Sequence, residues 1–459
     1  MLSPERTLPD PSLLRDVVAG HIVSPGDEGW DAARSAWNLA VDQHPALVAV
    51  PHSIEDVQAI VAYAAGNGLR IAMQGTGHNA GAIDSLAGSV LVRTHEMRGV
   101  EIDVDRRSAR ALAGDVWDDV VQPASKVGLM PLAGSSPDVG VVGYSLGGGI
   151  GWMARKRGLA ANSVTAIELV TAEGDLIRAD AEHHAELFWS LRGGGASPAA
   201  VVAMEMRLYA TPELVSGALF FDAERTREVF HAWRDWVRTV PEELTSCVRM
   251  LQFPPLPDIP EPMRGNSFAV IEATLLGTPE EAARLLAPLR ALAPDMDTVA
   301  PVAPAALVRL HMDPEHPVPG ITGGQLLRDL DPTTIDALMD AVGPGTGSPL
   351  LSMEIRHLGG ALAVAPENAG ALATLDGSFV AFGVGIPMNA EIGAAIVGAL
   401  GAMKGALTPD AATRSYLNFS EHPGAAKHAF DATTIERLRS VREAYDPEGM
   451  FRAAHALDA

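Results

Sequence analysis

Four short stretches of this 459-residue chain combine residue types that can do chemistry. Gly75-Thr76-Gly77-His78-Asn79-Ala80-Gly81 sets one imidazole among glycines, and a neutral imidazole nitrogen is a competent nucleophile. Gly134-Ser135-Ser136-Pro137-Asp138-Val139-Gly140 runs on through Gly143, Tyr144 and Gly147-Gly148-Gly149-Ile150-Gly151. Backbone without side chains can approach a pyrophosphate closely and donate amide hydrogens to it. No lysine follows in Walker fashion, so the segment is not an NTPase phosphate loop. In Met353-Glu354-Ile355-Arg356-His357-Leu358 the strand alternation puts Glu354 and Arg356 on one face and His357 on the other. Charges in an apolar strand must be paired or face a cavity or solvent. Tyr416 and Asn418, two apart, share a face if their segment is extended.

The elements that must position these residues can be read from periodicity. Ser53 followed by Asp56 marks a helix start, Val57, Ile60, Val61 and Ala64 repeat at helical spacing, and Gly66 and Gly68 end the helix. Strands are expected at Arg70–Met73, Ser89–Arg93, Ser108–Leu112 and Val164–Val170, the last turning at Glu173-Gly174 into Leu176–Ala179. A helix is expected at Trp117–Val127, and Ala199–Tyr209 alternates as a half-buried strand.

After Thr211-Pro212 the texture changes. Helices near Arg225–Val240, Pro279–Leu292, Pro332–Met339 and Ala390–Met403 alternate with strand-like runs at Gly217–Phe221, Val248–Phe253, Phe268–Leu275, Leu350–Leu358 and Ser378–Gly385. That pattern is an α+β unit on an antiparallel sheet. Proline-rich stretches at 254–262, 301–304 and 314–319 read as surface loops. The tail ends in a helix carrying Ile435, Leu438 and Val441, followed by Tyr445-Asp446-Pro447.

Composition excludes several classes. A formal net charge of −23 repels phosphate backbones, so no nucleic-acid partner is expected. Cys247 is the sole cysteine, which excludes an intrachain disulfide and a thiolate metal cluster. His311 and His316 sit among prolines and acids and read as loop, so no metal is expected. The opening MLSPERTLPDPSLL lacks a basic region followed by an apolar run, and no stretch reaches roughly 18 uninterrupted apolar residues. The expectation is a cytoplasmic protein with no membrane partner, a monomer or homodimer.

Gly75, Gly77 and Ala80 also fit a G-x-G-x-x-A dinucleotide pattern. Gly81, Ser85 and Gly88 interrupt any helix after it, and no acid ends the strand Ser89–Arg93, both of which a Rossmann site needs.

Taken in order, Pro45–Arg93, the glycine-rich run to Gly151, Leu187-Phe188-Trp189 through Leu191-Arg192-Gly193-Gly194-Gly195, Tyr416-Leu417-Asn418 and Tyr445-Asp446-Pro447 resemble the berberine-bridge-enzyme-like branch of the vanillyl-alcohol-oxidase flavoproteins. The middle unit resembles that family's substrate domain only loosely. The resemblance implies a two-part FAD-binding domain of the PCMH type over residues 1–210 (core about 43–212), an α+β substrate domain over 211–414 with an antiparallel sheet flanked by helices, and a segment 415–459 returning to the FAD domain.

What the resemblance implies residue by residue is as follows. His78 bonds covalently to the flavin. Gln74, Gly75, Thr76, Gly77, Asn79 and Ala82 surround it. Ser135, Ser136, Val139, Gly140, Gly143, Tyr144, Gly148, Gly149, Ile150 and Gly151 form the pyrophosphate loop, with Val201, Val202 and Asn418 also against the cofactor. Ser136 stands where many relatives carry a second, cysteine attachment, so a single covalent link is expected. Tyr144 replaces a common histidine, and Val139 lies at a position tied to oxygen access, which favours an oxidase. Ala196-Ser197-Pro198 departs from the family's usual Asn-Phe-Gly. Tyr416, Glu354, Arg356 and His357 are the catalytic candidates. The implied activity is oxidation of a small alcohol, amine or activated ring carbon with O2 as acceptor. A flavin-binding protein without turnover and, less favoured, an NAD(P)-dependent Rossmann enzyme are the alternatives.

Overall fold

The structure is a computed structural model, describing residues 10–457 apart from 196, 212, 254, 256, 258–260 and 262. The opening nine residues and most of the expected 254–262 loop lie outside the described residues.

The first sheet runs in the order His21–Val23, Leu47–Val50, Ser89–Arg93, Arg70–Gln74, with the last three strands mutually parallel. Helix Ile54–Asn67 makes the crossover. The Asp56 amide donates to Ser53 Oγ at 3.1 Å, and Gly68 closes the helix at φ +63°. The buried Asp56 carboxylate does not complete a capping box. It accepts the amides of Ala19, Gly20 and His52, pinning the N-terminal segment to this helix. Gly66, expected as a terminator, lies inside the helix.

A second, antiparallel sheet orders Val100–Asp103, Ser108–Leu112, Ala200–Arg207, Val164–Val170 and Leu176–Asp180. It and the first sheet share one core.

The middle of the chain builds an eight-stranded antiparallel sheet whose centre is Ser267–Leu275, Leu244–Gln252, Ser352–His357 and Phe379–Gly385. Helices Thr226–Trp236, Pro279–Arg290, Pro332–Val342 and Ala390–Leu407 cover one face of it. Val248, Met250, Ile271, Met353 and Ile355 point into that layer. Their neighbours in sequence, Cys247, Arg249, Glu272, Glu354 and Arg356, therefore lie on the opposite face. The fold is thus the α+β arrangement expected, with mixed first and antiparallel later sheets.

Strand Ile321–Leu327, which completes this sheet, was not expected. Gly323-Gly324 masks its alternation. A Cβ on Gly324 would lie 2.7 Å from that of Phe419, so the glycine is there to let the tail pack flat on the strand. Helix Ala390–Asp410 is long and apolar enough by composition to cross a membrane; Ile396, Leu400, Met403 and Leu407 on it are buried in the sheet's core.

The tail returns to the first sheet. Ile71 donates to Met450 O at 2.8 Å and accepts from Arg452 at 2.7 Å, while the buried Asp446 carboxylate takes the Met450 and Phe451 amides. Tyr416–Asn418 is not a strand. Tyr416 is extended, and Leu417–Phe419 is a turn of 3-10 helix. Tyr416 and Asn418 therefore do not share a strand face; contacts with Gly149 and Tyr144 hold them instead.

Candidate active site

Strand Arg70–Gln74 delivers the His78 loop at its C-terminal end. Gly77 sits at φ +92°, and a Cβ there would meet that of Ala36 at 2.9 Å, so only glycine makes the turn. The N-terminal strap crosses this loop: Trp37 N–H donates to Thr76 O at 3.0 Å, and the Trp37 indole stacks on His78 at 3.9 Å between centroids and 22° between planes. Buried His78 Nε2 lies 3.5 Å from Asp138 Oδ1. The same carboxylate accepts Ser136 Oγ at 2.8 Å and Trp37 Nε1 at 2.5 Å. Burial alone would raise Asp138; the His78, Ser136 and Trp37 contacts hold it below the usual carboxylate range.

Asp138 is aimed by its own backbone. Trp117 and Asp118, the first residues of helix Trp117–Lys126, donate to Val139 O and Pro137 O at 3.0 and 2.9 Å, and Val141 donates to Asp115 O at 3.0 Å. The loop carbonyls thus satisfy first-turn helix amides, which fixes the loop against the core. Gly140 then opens the short helix Val141–Leu146.

The Gly147–Gly151 run closes over Tyr144 and Tyr416. Gly149 has φ +82°, and a Cβ there would lie 2.3 Å from the Tyr144 ring. Its N–H donates to Tyr416 Oη at 3.0 Å. Asn418 Nδ2 donates to Tyr144 O at 2.9 Å. Burial pushes the Tyr416 and Tyr144 phenols well above the ordinary tyrosine range. Tyr416 is therefore a neutral hydroxyl here, able to donate or accept one hydrogen bond but poorly suited to act as an ionised base.

The opposing wall is the charged face of the middle sheet. Register puts Glu272, Cys247 and Arg356 in one row and Arg249 beside Glu354 in the next. His311, from the turn after Pro304–Arg309, inserts between the two acids: Nδ1 is 2.6 Å from Glu272 Oε2 and Nε2 is 2.5 Å from Glu354 Oε2. Arg356 Nε donates to Glu354 at 2.5 Å, and Arg249 Nη2 lies 2.7 Å from Glu272. All five are buried or nearly so. Burial and Arg249 press His311 down, but Glu272 and Glu354 outweigh them and raise it to about 9. Burial would raise Glu354, yet Arg356 and His311 hold it well below the carboxylate range. The wall meets the loops directly: the Arg356 guanidinium lies 5.4 Å from the Phe419 ring, Trp152 and His311 are 6.0 Å apart, and Ser135 Oγ donates to Asp313 at 3.2 Å.

Close approaches thus join the expected residues in pairs: Thr76 with Gly140, Gly148 and Gly149 with Tyr416, Gly149 and Asn418 with Tyr144, and His78 and Ser136 at Asp138. Arg356, paired with Glu354, reaches the tail at Phe419 beside Asn418. Others sit elsewhere. His357 faces the helix layer, stacked on Phe379 at 5.7 Å, and burial beside Arg155 drives it down to about 3. Gln74 pairs its carboxamide with Gln43 at 2.9 and 3.2 Å. Val201 and Val202 are core residues of strand Ala200–Arg207, and Ala82 is buried in a turn. Ala196 lies outside the described residues, and Ser197 bonds locally to Ala199.

Trp37, Asp138, Arg249 and Glu272 were not expected at the site, and His311 was expected only as a loop residue without a metal. Arg249 and Glu272 carried a usable signal, since each is a charge inside an apolar strand run, as Glu354 and Arg356 are. His311 carried none, because its partners are 39 and 43 residues away. Among the described residues one trio, the exposed His21, His52 and Glu96, brings possible ligand atoms within 4.8 Å of one another, remote from this wall on the first sheet.

The loops suit a flavin dinucleotide. Glycine backbone lines both of them, and buried Asn79 Oδ1 and Tyr144 Oη have no protein partner. Residues 45–180 match the FAD binding domain family. The (R)-6-hydroxynicotine oxidase of Paenarthrobacter nicotinovorans is 35% identical over 195 residues, 42% of this chain and 43% of the relative, so the match spans less than half of that protein's length. Among solved structures, BBE-like 1 of Physcomitrella patens superposes with a TM-score of 0.83 at 20% identity, over 98% of this chain and 99% of that one. Glucooligosaccharide oxidase of Acremonium strictum, described as holding a 6-S-cysteinyl, 8α-N1-histidyl FAD, gives 0.79 at 21% identity over 97% and 98%. The chain carries an FAD binding domain and has the fold of the berberine-bridge-enzyme-like flavoproteins of the PCMH type.

Proposed function

We propose that this protein is an FAD-dependent oxidase of small organic molecules, with its flavin held by one covalent bond to His78. The observation that carries this reading is that Trp37 and Asp138 hold His78 beside the glycine-rich loops, the second of which meets the buried charged face of the middle sheet through Trp152 and His311. Ser136, whose hydroxyl cannot replace a thiolate, supports a single attachment rather than the two described for glucooligosaccharide oxidase.

When bound, the flavin accepts a hydride and passes the electrons to oxygen. The protein supplies the rest. Main-chain amides of the glycine loops carry the pyrophosphate. Tyr416 Oη, held on the Gly149 amide, and the Glu354–Arg356 pair of the middle sheet orient the substrate's hydroxyl or amine. The wall carries fixed charge: at neutral pH Glu354 is ionised and His311 is already protonated between Glu272 and Glu354. This network therefore orients the substrate, and the proton lost with the hydride leaves to solvent. The aromatic group Tyr416, Phe419 and Phe382, with ring centroids 5.3 and 4.6 Å apart, supplies an apolar side to the site.

The test is anaerobic mixing of the purified protein with a panel of secondary alcohols, cyclic amines and oligosaccharides. The expected result is bleaching of the flavin by at least one class, and recovery on admitting air with release of one equivalent of peroxide. A flavin that no donor bleaches, while dithionite does, identifies a binding protein without turnover.

A further inference from the structure

We propose that Asp138 is the positioning residue for flavin tethering: it holds the His78 proton on Nε2 and so leaves the Nδ1 lone pair as the nucleophile. The inference rests on the reading that His78 carries the flavin.

The geometry leaves Asp138 little other work. Its carboxylate is partly buried and accepts from two donors, Trp37 of the strap and Ser136 of its own loop, while the otherwise unpartnered His78 Nε2 of the first loop lies 3.5 Å from it. The Trp37 indole does two things at once. It fixes the imidazole plane by stacking at 3.9 Å, and it anchors the carboxylate that reads the imidazole edge. Only Nε2 faces Asp138, at 3.5 Å, and among the described residues no group hydrogen-bonds Nδ1. A carboxylate is acceptor-only, so a neutral imidazole beside it carries its hydrogen on the near nitrogen.

Tethering is balanced as follows. A C–N bond to Nδ1 replaces one C–H bond of the flavin 8α-methyl. One proton leaves from that methyl and one from Nε2, the latter by way of Asp138. The two electrons left in the ring system pass to dioxygen, giving hydrogen peroxide.

Asp138→Asn is the informative variant because it keeps the shape. The Trp37 N–H still needs an acceptor, so the carboxamide oxygen stays with Trp37 and the NH2 turns toward His78. A donor there forces the hydrogen onto Nδ1 and blocks the nucleophile, as a wrong tautomer does in other histidine sites. The variant is expressed, incubated with FAD and sampled over time for total bound flavin and for flavin that stays with acid-precipitated protein. We expect wild-type stoichiometry of bound FAD with tether formation slowed about tenfold or more. Tethering at the wild-type rate overturns the proposal. Should Asp138→Asn fail to fold or to take up FAD, the wild-type holoenzyme decides: in its flavinylated peptide, through-bond NMR from the 8α-CH2 must reach the imidazole through Nδ1. Attachment through Nε2 overturns the proposal whatever the variant does. A wild-type protein that binds FAD but never tethers it sinks the parent reading instead.

Discussion

Tyr416 shows how much a single hydroxyl can hold. Its oxygen is the acceptor for the buried Gly149 amide, and Gly149 in turn cannot carry a side chain beneath Tyr144. Tyr416→Phe strands that amide, at a cost of about 1–3 kcal/mol. We expect a lower melting temperature for the variant even without substrate, together with reduced turnover. An unchanged melting temperature would mean that the ring alone matters. Tyr416 was visible in the sequence as a chemical group, but its partner was not. The contact spans 267 residues, and no spacing rule reaches that far. The same holds for Asp138. It stood in plain view within a glycine-rich loop, yet its meaning depends on Trp37, 101 residues away.

At the scale of elements, the charged face of the middle sheet is the feature that physical chemistry marks most strongly. Two carboxylates, two guanidiniums and one imidazolium share a buried layer on three strands and a turn. Such a network is costly to bury and costly to break. It also makes stability depend on pH in a defined direction. His311 is raised from 6.5 to about 9, so its contribution is fully present below 6.5 and is lost as pH rises through 9. That loss is on the order of 3 kcal/mol. Glu354 is depressed, so its contribution is present above the unfolded carboxylate range and lost on acidification. Urea midpoints should therefore fall between pH 6.5 and 9 in the wild type. His311→Gln should be less stable at neutral pH and lose that slope. A variant with an undiminished slope would place the titration elsewhere. The strands themselves were legible, because Val248, Ile271, Met353 and Ile355 alternate cleanly. Strand Ile321–Leu327 was not, because Gly323-Gly324 removes the alternation where helix Ala390–Leu407 and Phe419 lie close.

For the whole molecule, the site exists because the chain doubles back. The strap at Trp37 and Asn38 reaches both the His78 loop and Gly320 of the middle unit, where Asn38 exchanges hydrogen bonds of 3.0 and 2.9 Å. Asn38 also donates to Glu421 of the tail at 3.2 Å. Arg155 ties the loop side to the middle sheet through Leu358 O at 2.9 Å and Pro241 O at 2.8 Å. The tail completes the first sheet at Ile71, a few residues before Gly75, so the element that presents His78 is finished by the last residues of the chain. The glycine-rich loops, the sheet-bearing middle and the returning tail could be read from local pattern and from a family resemblance. The strap could not, since Trp37 and Asn38 lie in an irregular segment with no periodicity to mark them.

The central claim is that this closed arrangement carries a flavin on His78. It is tested most directly by digesting the purified protein with trypsin and weighing the peptide that spans residues 71–93. The account predicts that this peptide carries the added mass of FAD and the yellow colour, and that His78→Ala abolishes both. If the flavin all washes out in acid and the peptide has its unmodified mass, the claim is contradicted.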